Sequence, residues 1–282
     1  MIKKITFDTG IQGKHLLVLG AIHGNEIVGP NAIFKVIDDI QTYKINLKQG
    51  KVTFVPICNF NAYKRDVRQI DENLNRMIKY CEKPITYEQK LANEICQLIK
   101  QSDVLLDLHS THCEGDVPFV FCDYPTTDNL KMVNSLSVDY VLLGWPQIYS
   151  GCTDIADYST EKCAHDYQKI GVTLECGYHK EPKAMNIAYE AIVNVLLHFG
   201  IIDGVLASLP PKTTIRLTEY IVKKKSGYLC QNYKHLDVVQ KGQKLAKYDD
   251  GEILYAPKDG YILLPNADAD IGAEWYYLGV RE

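Results

Sequence analysis

The sequence predicts an α/β protein: a mainly parallel or mixed sheet with helices on both faces, followed by a small all-β domain. Over the first two thirds of the 282 residues, short apolar runs alternate with amphipathic helical patterns, as in βαβ units. After Pro210 and Pro211 the pattern changes to short alternating runs separated by Asp-Gly turn signals. We therefore predict two domains, residues 1–207 and residues 214–282.

The individual elements follow from hydrophobic periodicity. In residues 87–101 the apolar positions Leu91, Ile95, Leu98 and Ile99 share one helical face. The segments predicted as helices are 26–40, 87–101 and 184–199. The segments predicted as strands are 15–20, 51–57, 103–108, 118–122, 138–143 and 172–174.

Composition limits the classes of partner. The net charge is −4 and the pI about 6.1, without a long basic block, which argues against nucleic acid or an anionic membrane. No apolar run is long enough to span a bilayer, and the N-terminus lacks the apolar segment of a signal peptide. Nine cysteines without a C-x-x-C pair are typical of free thiols in a reducing compartment. We expect a cytoplasmic protein with a small-molecule partner, and leave homo-oligomerisation open.

Three polar motifs each come directly after a predicted strand. They are HGNE at 23–26, DLHS at 107–110 and TLECG at 173–177. Because ligand crevices of open α/β sheets form at the carboxyl ends of strands, these motifs should converge at one edge. Catalytic zinc takes three protein ligands and one exchangeable water. His23, Glu26 and His109 supply such a set, so we predict one zinc ion per chain.

Glu175 lies outside this ligand set. A carboxylate beside a metal-bound water can act as general base and then protonate a leaving amine. Strand alternation puts Asp107 on the face of His109, where it can act as a hydrogen-bond partner. Each motif alone has a plainer interpretation, namely a polar turn, a structural histidine or a solvated carboxylate. Their combination favours the metal site.

The basic segment 63–76 adds candidate substrate contacts. Arg68 could stabilise an oxyanion, and the adjacent Asn75 and Arg76 could bind a carboxylate, with the guanidinium pairing bidentately. The competing interpretation is a solvated basic loop.

HGNE, RQIDENLNR (68–76), DLHS and LECG, in this order, resemble the succinylglutamate desuccinylase/aspartoacylase family, which is related to the zinc carboxypeptidases. The resemblance runs from about residue 15 to the end of the chain. It implies a zinc hydrolase catalytic domain over 1–207 and a β-rich domain over 214–282 that caps the cleft. The roles it implies are zinc ligation by His23, Glu26 and His109, general-base catalysis by Glu175, carbonyl polarisation by Arg68, and α-carboxylate binding by Asn75 and Arg76.

Two details of the resemblance concern the substrate. The stretch EWYYLG (274–279) implies that Tyr276 reaches the active site. Aspartoacylases also carry an arginine shortly before the catalytic glutamate, where it binds the substrate's side-chain carboxylate. Residues 149–174 contain no arginine, and their only basic residues are Lys162, His165 and Lys169. The identity of the substrate side chain therefore stays open.

Three functions remain in competition. The first is a zinc-dependent hydrolase that cleaves the amide bond of an N-acyl amino acid or a related small acylated amine. The second is a carboxypeptidase-like metallopeptidase acting on short peptides, which would differ in how open its cleft is. The third is a non-catalytic metal-binding module, against which Glu175 and Arg68 argue, since a binder needs no base.

Overall fold

The centre of the structure is a group of parallel strands that are buried on both faces. The computed structural model describes residues 2–149 and 158–282. Every residue of Leu16–Leu19 and of Val104–Leu108 has no exposed surface. Strands covered on both faces are mainly apolar rather than alternating, which explains the apolar runs of both segments, interrupted only by Asp107 in the second.

The helices and strands follow one another as the alternation of the sequence predicts. The strands are β1 Ile5–Asp8, β2 His15–Gly20, β3 Lys51–Val55, β4 Val104–Thr111, β5 Phe119–Phe121, β6 Tyr140–Leu143, β7 Ile170–Tyr178, β8 Thr213–Val222, β9 Gly227–Leu229, β10 Asp237–Val239, β11 Lys244–Tyr248, β12 Ile253–Tyr255, β13 Gly260–Leu263 and β14 Glu274–Arg281. The helices are α1 Val28–Gln41, α2 Phe60–Arg65, α3 Tyr87–Gln101, α4 Thr127–Asn134, α5 Trp145–Tyr149, α6 Thr160–Asp166 and α7 Pro182–His198, with a 3₁₀ turn at Leu74–Arg76.

The main sheet is mixed. Its strand order is β1-β3-β2-β4-β7-β5-β6-β8-β14-β13-β10, and a second sheet has the order β12-β11-β9. Strands β3, β2, β4 and β7 are parallel neighbours, whereas β5 runs antiparallel to β7. The carboxyl ends of the parallel strands therefore share one edge. The predicted fold class is confirmed.

Helices cover both faces of the sheet. Leu16 and Val18 of β2 pack into one core with α1 and α7, while Leu17 and Leu19 pack into the opposite core with α3. This division follows from the period of two along a strand. Helix α3 has the predicted bounds, because Thr86 and Gln89 form a capping box at its start.

The C-terminal segment extends the main sheet instead of forming a detached layer. Strand β8 pairs in parallel with β6, beginning at Tyr140 opposite Thr213, and then pairs with β14. The region is all-β, as predicted. The division into domains 1–207 and 214–282 stays a prediction, since one hydrogen-bonded sheet runs through both ranges.

Two further observations concern helix length and thiols. Within the described ranges, none of the helices combines the length and the apolar character needed to cross a membrane. The described cysteines are free thiols, and the Sγ atoms of Cys96 and Cys163 approach to 3.6 Å between α3 and α6.

Candidate active site

The HGNE motif forms a buried turn at the end of β2. His23 and Glu26 are 4% and 5% exposed. Gly24 lies against helix α2, where a Cβ atom would come within 2.2 Å of the Ala62 carbonyl carbon. The Gly24 N–H donates to the Arg68 carbonyl at 3.1 Å. Only glycine permits this approach, and the approach fixes both side chains at the edge of the sheet.

Three side chains converge at this edge. The Nδ1 atom of His23 lies 2.7 Å from Oε1 of Glu26, and Nδ1 of His109 lies 3.0 Å from Oε2 of the same carboxylate. One potential ligand atom from each residue lies within 4.8 Å of the others. His109 comes from β4 and is 1% exposed. The three predicted ligands are therefore brought together.

Hydrogen bonds orient both imidazole rings. The Nε2 atom of His23 lies 3.0 Å from Oδ1 of Asn73, and Nε2 of His109 lies 3.0 Å from Oδ2 of Asp107. Since each Nε2 faces an oxygen acceptor, each Nδ1 can present its lone pair to a cation. Asp107 occupies the position that strand alternation predicts for it. Its Oδ2 also accepts the hydroxyl of Thr160 at 2.6 Å.

The electrostatics of the cluster suit a cation. Burial alone would lower the pKa of His109, but the carboxylates of Asp107 and Glu26 outweigh burial and hold it well above its usual value. Burial would raise the pKa of Glu26, and the two histidines instead keep it well below its usual value. The protein therefore places a positive charge between two carboxylates. A divalent metal can replace that charge, and a His-Glu-His donor set is one that zinc accepts.

Glu175 lies beside the cluster without belonging to it. Its position on β7 is paired with His109 on β4. Burial, followed by the negative charge of Glu26, raises the pKa of Glu175 to about 8. Its Oε2 atom is buried and has no hydrogen-bond partner among the described residues. A carboxyl group with these properties beside a metal site is a candidate for proton transfer.

A cavity of about 910 Å³ opens over these residues. The described part of its lining includes the three converging residues, Glu175 and Arg68. It also includes residues of the C-terminal segment such as Asn266 and Tyr277. Arg68 is half-exposed, and its Nη1 makes a long contact of 3.5 Å with Oε1 of Glu26. The guanidinium therefore lies at the edge of the His-Glu-His cluster.

Asn75 and Arg76 also reach this cavity. They lie in the 3₁₀ turn, where Oδ1 of Asn75 accepts the N–H of Thr160 at 3.1 Å. The Nη1 of Arg76 donates to the Asn75 carbonyl at 3.1 Å, and its guanidinium lies 5.3 Å from the ring centre of Trp145. Both side chains are held in place by neighbours while facing the cavity.

Tyr276, expected at the substrate, lies instead in the core of the C-terminal segment and is 1% exposed. The neighbouring Tyr277 lines the cavity together with Glu274. A register shift between Glu274 and Tyr276 interrupts the regular pairing of β14 with β8. Such a bulge re-aims side chains, so residues three apart face the same side. Of the two adjacent tyrosines of β14, Tyr277 is the one that lines the cavity.

The sequence motifs do not reveal Glu274 and Tyr149, which support Tyr277. The hydroxyl of Tyr149 lies 2.7 Å from Oε1 of Glu274 and 2.7 Å from the Tyr277 hydroxyl. Burial and the Glu274 charge raise the pKa of both phenols. The available signal in the sequence was the spacing of Glu274 and Tyr277, a carboxylate three residues before a tyrosine. This spacing places both side chains on one side of β14 only because of the bulge.

The basic residues that precede Glu175 turn away from the cavity. Lys162 pairs with Asp166 at 2.5 Å, His165 stacks on Tyr124 with 4.5 Å between ring centres, and Lys169 is outside the cavity lining. Part of the predicted specificity stretch, residues 150–157, lies outside the described residues.

The mixed α/β sheet and the His-Glu-His cluster at its carboxyl edge define a protein with the zinc carboxypeptidase-like fold. Residues 12–199 match the succinylglutamate desuccinylase/aspartoacylase catalytic domain. The chain belongs to this family.

Relatives support the same assignment. The chain is 26% identical over 250 residues to an N-alpha-acetyl-L-2,4-diaminobutyric acid deacetylase of Halomonas elongata, covering 85% of this chain and 71% of that protein. A succinylglutamate desuccinylase/aspartoacylase of Rhodobacter sphaeroides shares the fold with a TM-score of 0.81 at 17% identity, covering 100% of this chain and 89% of the other. The product-bound ectoine utilization protein EutE (DoeB) of Ruegeria pomeroyi has a TM-score of 0.79 at 21% identity, covering 99% and 89%.

Proposed function

We propose that the protein is a zinc-dependent hydrolase that removes the acyl group from a small N-acyl amino acid. The observation that carries the proposal is the His23-Glu26-His109 cluster with Glu175 paired in register beside it. Family membership and the deacetylase activity named for the Halomonas elongata relative support the reaction class.

The ligand residues would be His23 and His109 through Nδ1 and Glu26 through its carboxylate. When bound, zinc would polarise the acyl carbonyl and lower the pKa of a coordinated water. The protein itself orients the ligands. Asn73 and Asp107 fix the rings, and the Ser110 N–H donates to Oε2 of Glu26 at 3.0 Å.

Glu175 would move the proton. In its ionised form the carboxylate takes a proton from the attacking water, and in its protonated form it delivers that proton to the nitrogen of the departing amine. A nearby cation would stabilise the ionised form and lower the pKa of Glu175 from about 8. Arg68, at the edge of the cluster, would donate to the oxyanion that develops on the acyl oxygen.

Asn75 and Arg76 would bind the substrate's α-carboxylate. The fixed guanidinium offers the fork geometry that a carboxylate matches. The C-terminal segment, proposed as the capping domain 214–282 over the catalytic domain 1–207, supplies the opposite wall through Leu264, Glu274 and Tyr277. This arrangement supports a small substrate held at both ends.

The test is a panel of N-acetyl, N-succinyl and N-formyl amino acids compared with short peptides, assayed with zinc-loaded protein. Cleavage of the acyl amino acids with kcat/KM at least about tenfold above that of the peptides is the expected result. Faster cleavage of peptides would replace the deacylase with a carboxypeptidase-like enzyme, and metal binding without any turnover would support the non-catalytic alternative. A cytoplasmic location remains part of the proposal, supported by the composition.

A further inference from the structure

We propose that Cys96 and Cys163 form a redox modification site, at which hydrogen peroxide joins the two thiols in a disulfide that weakens the candidate active site. The inference goes beyond the proposed hydrolase activity, although its effect is measured at the proposed zinc site. Both residues are free thiols in the structure, and their Sγ atoms lie 3.6 Å apart.

The two thiols are close enough to form a bond without a change of fold. A disulfide bond is about 2.05 Å long, so the two sulfur atoms must approach by about 1.5 Å. Cys96 has no exposed surface, and Cys163 is 5% exposed. Both lie in the apolar core that helices α3 and α6 share with the central strands, together with Ile95, Ile99 and Leu105.

Helix α6 carries a residue that orients a proposed metal ligand. Thr160 lies three positions before Cys163, so the two residues share one face of the helix. The Thr160 hydroxyl donates to Oδ2 of Asp107 at 2.6 Å, and its N–H donates to Oδ1 of Asn75 at 3.1 Å. Asp107 in turn contacts Nε2 of His109 at 3.0 Å. A displacement of α6 therefore acts on both the His109 ring and Asn75.

Helix α3 holds a second segment of the site. Glu88, in its first turn, is fully buried, and its carboxylate accepts the N–H groups of Ile70 at 2.8 Å and of Asp71 at 3.1 Å. Both belong to the segment 68–73, whose first and last residues line the cavity. Cys96 follows Glu88 by eight residues, about two turns, so it lies near the same face of the helix. The thiol pair thus connects two helices that each position part of the site.

A shorter distance between the sulfur atoms should displace these helices. Protein cores are close-packed, so rotation of two side chains cannot absorb the whole approach in a core this buried. The helices must shift relative to each other, and the segments that they hold shift with them. Disturbing a residue that orients a ligating histidine typically costs about 10- to 100-fold in metal affinity. We therefore expect the disulfide to weaken both zinc binding and turnover.

Hydrogen peroxide, a small uncharged oxidant, balances the reaction. The hydrogen bond that Cys163 donates lowers the pKa of the Cys96 thiol, which favours the thiolate that attacks peroxide. The thiol of Cys96 takes one oxygen atom, which gives a sulfenic acid and one water. The Cys163 thiol then attacks the sulfenic sulfur, so that the S–S bond forms, the S–O bond breaks and a second water leaves. The two thiols together lose two electrons and two protons.

The experiment treats the zinc-loaded protein with hydrogen peroxide, removes the peroxide with catalase and maps disulfides by peptide mass spectrometry. We expect a linked pair of peptides that contain Cys96 and Cys163. Zinc affinity, from competition with a chelator, and kcat/KM for the best acyl amino acid should both fall by at least about tenfold. Both should recover when dithiothreitol reduces the bond by thiol exchange.

Three cysteine variants serve as controls. Cys96→Ala and Cys163→Ala cannot form the bond, so peroxide should leave their zinc affinity and turnover unchanged. Cys230→Ala removes an exposed thiol, and this matched control should respond like the unaltered protein. If a substitution in the core prevents folding, the peptide map of the unaltered protein still tests the bond.

Three results would overturn the inference. The first is the absence of the Cys96–Cys163 bond under conditions that oxidise Cys230. The second is formation of the bond with unchanged zinc affinity and turnover. The third is an equal loss in Cys96→Ala, which would assign the effect to other thiols, such as Cys81 and Cys113 in the cavity lining. Absence of turnover for every acyl amino acid would overturn only the proposed function, because the peptide map and the zinc titration need no substrate.

Discussion

His109 and Glu175 are register partners on the adjacent parallel strands β4 and β7. Neighbouring strands are about 4.8 Å apart, and paired residues project from the same face. The backbone hydrogen bonds of the sheet thus set the separation of a proposed metal ligand from the proposed base. Loop motion cannot change it without disturbing the most buried strands of the protein.

Glu175→Gln should separate metal binding from catalysis. The amide keeps the shape of the side chain but cannot take a proton, so kcat should fall by about 10²- to 10⁴-fold while zinc content stays near one ion per chain. Metal analysis together with steady-state kinetics on the best acyl amino acid measures both. An active Glu175→Gln enzyme would rule out the proposed base.

Zinc affinity should depend on the ligand residues and on the residues whose hydrogen bonds orient them. His23→Ala and His109→Ala should abolish stoichiometric zinc binding. Asp107→Asn and Thr160→Val should weaken it by about 10- to 100-fold, because they disturb the orientation of the His109 ring. Competition with a chelator gives the affinities. His198→Ala, on α7, should bind zinc like the unaltered protein, and equal loss in this control would show a general folding defect.

Gly24→Ala tests the close packing of the HGNE turn. The new Cβ would lie 2.2 Å from backbone atoms of α2, so the turn must move and the zinc affinity should fall together with Tm. Gly251→Ala is the matched control. Its φ of +95° strains an alanine, but nothing lies within 4 Å of its Cβ, so it should reduce stability without affecting zinc. Normal metal binding by Gly24→Ala would show that the turn tolerates displacement.

The two adjacent tyrosines of β14 should behave differently. Tyr277→Phe removes a hydroxyl at the cavity and breaks its 2.7 Å contact with Tyr149, so we expect KM or kcat to change several-fold, about the effect of one hydrogen bond. Tyr276→Phe alters a buried core residue and should leave both kinetic constants unchanged. The reverse pattern would place Tyr276 at the substrate after all.

His235 should make stability depend on pH. Burial lowers its pKa to about 3 from a usual 6.5, so the unfolded chain binds a proton below pH 6.5 that the native protein does not. The free energy of unfolding should therefore decrease as pH falls from about 6.5 towards 3, by about 1.4 kcal/mol per pH unit from this group. Urea titrations across this range give the free energy of unfolding at each pH. The slope of this free energy against pH should be smaller by the equivalent of about one proton in His235→Phe than in the unaltered protein. Identical slopes would contradict the assignment.

Most of the candidate active site was predictable because its residues lie close together in sequence or on regular strands. The HGNE turn follows an uninterrupted apolar run, and the Asp107-His109 spacing of two puts both side chains on one face of β4. Register between strands was not available from the sequence. The pairing of His109 with Glu175 became visible only with the sheet.

The differences between the sequence-based expectations and the structure have local physical causes. Tyr276 was taken from the resemblance of EWYYLG to the family, whereas in the structure the neighbouring Tyr277 lines the cavity, after a register shift of β14 between Glu274 and Tyr276. The short helix α6 was missed because its apolar positions are few, and Ser159 caps it by accepting the Lys162 N–H. Its importance comes from Thr160, whose two partners lie 53 and 85 residues away in sequence. No local pattern contains such contacts.

The continuity of the main sheet from β4 through β8 to β14 has a consequence for how this protein can change. The proposed catalytic residues project from the first half of the sheet, and Glu274 and Tyr277 project from its far end. We therefore expect substitutions at the far end to affect the choice of substrate more than the proposed chemistry. Because both halves belong to one hydrogen-bonded sheet, such substitutions would act at positions that are fixed relative to the proposed catalytic residues.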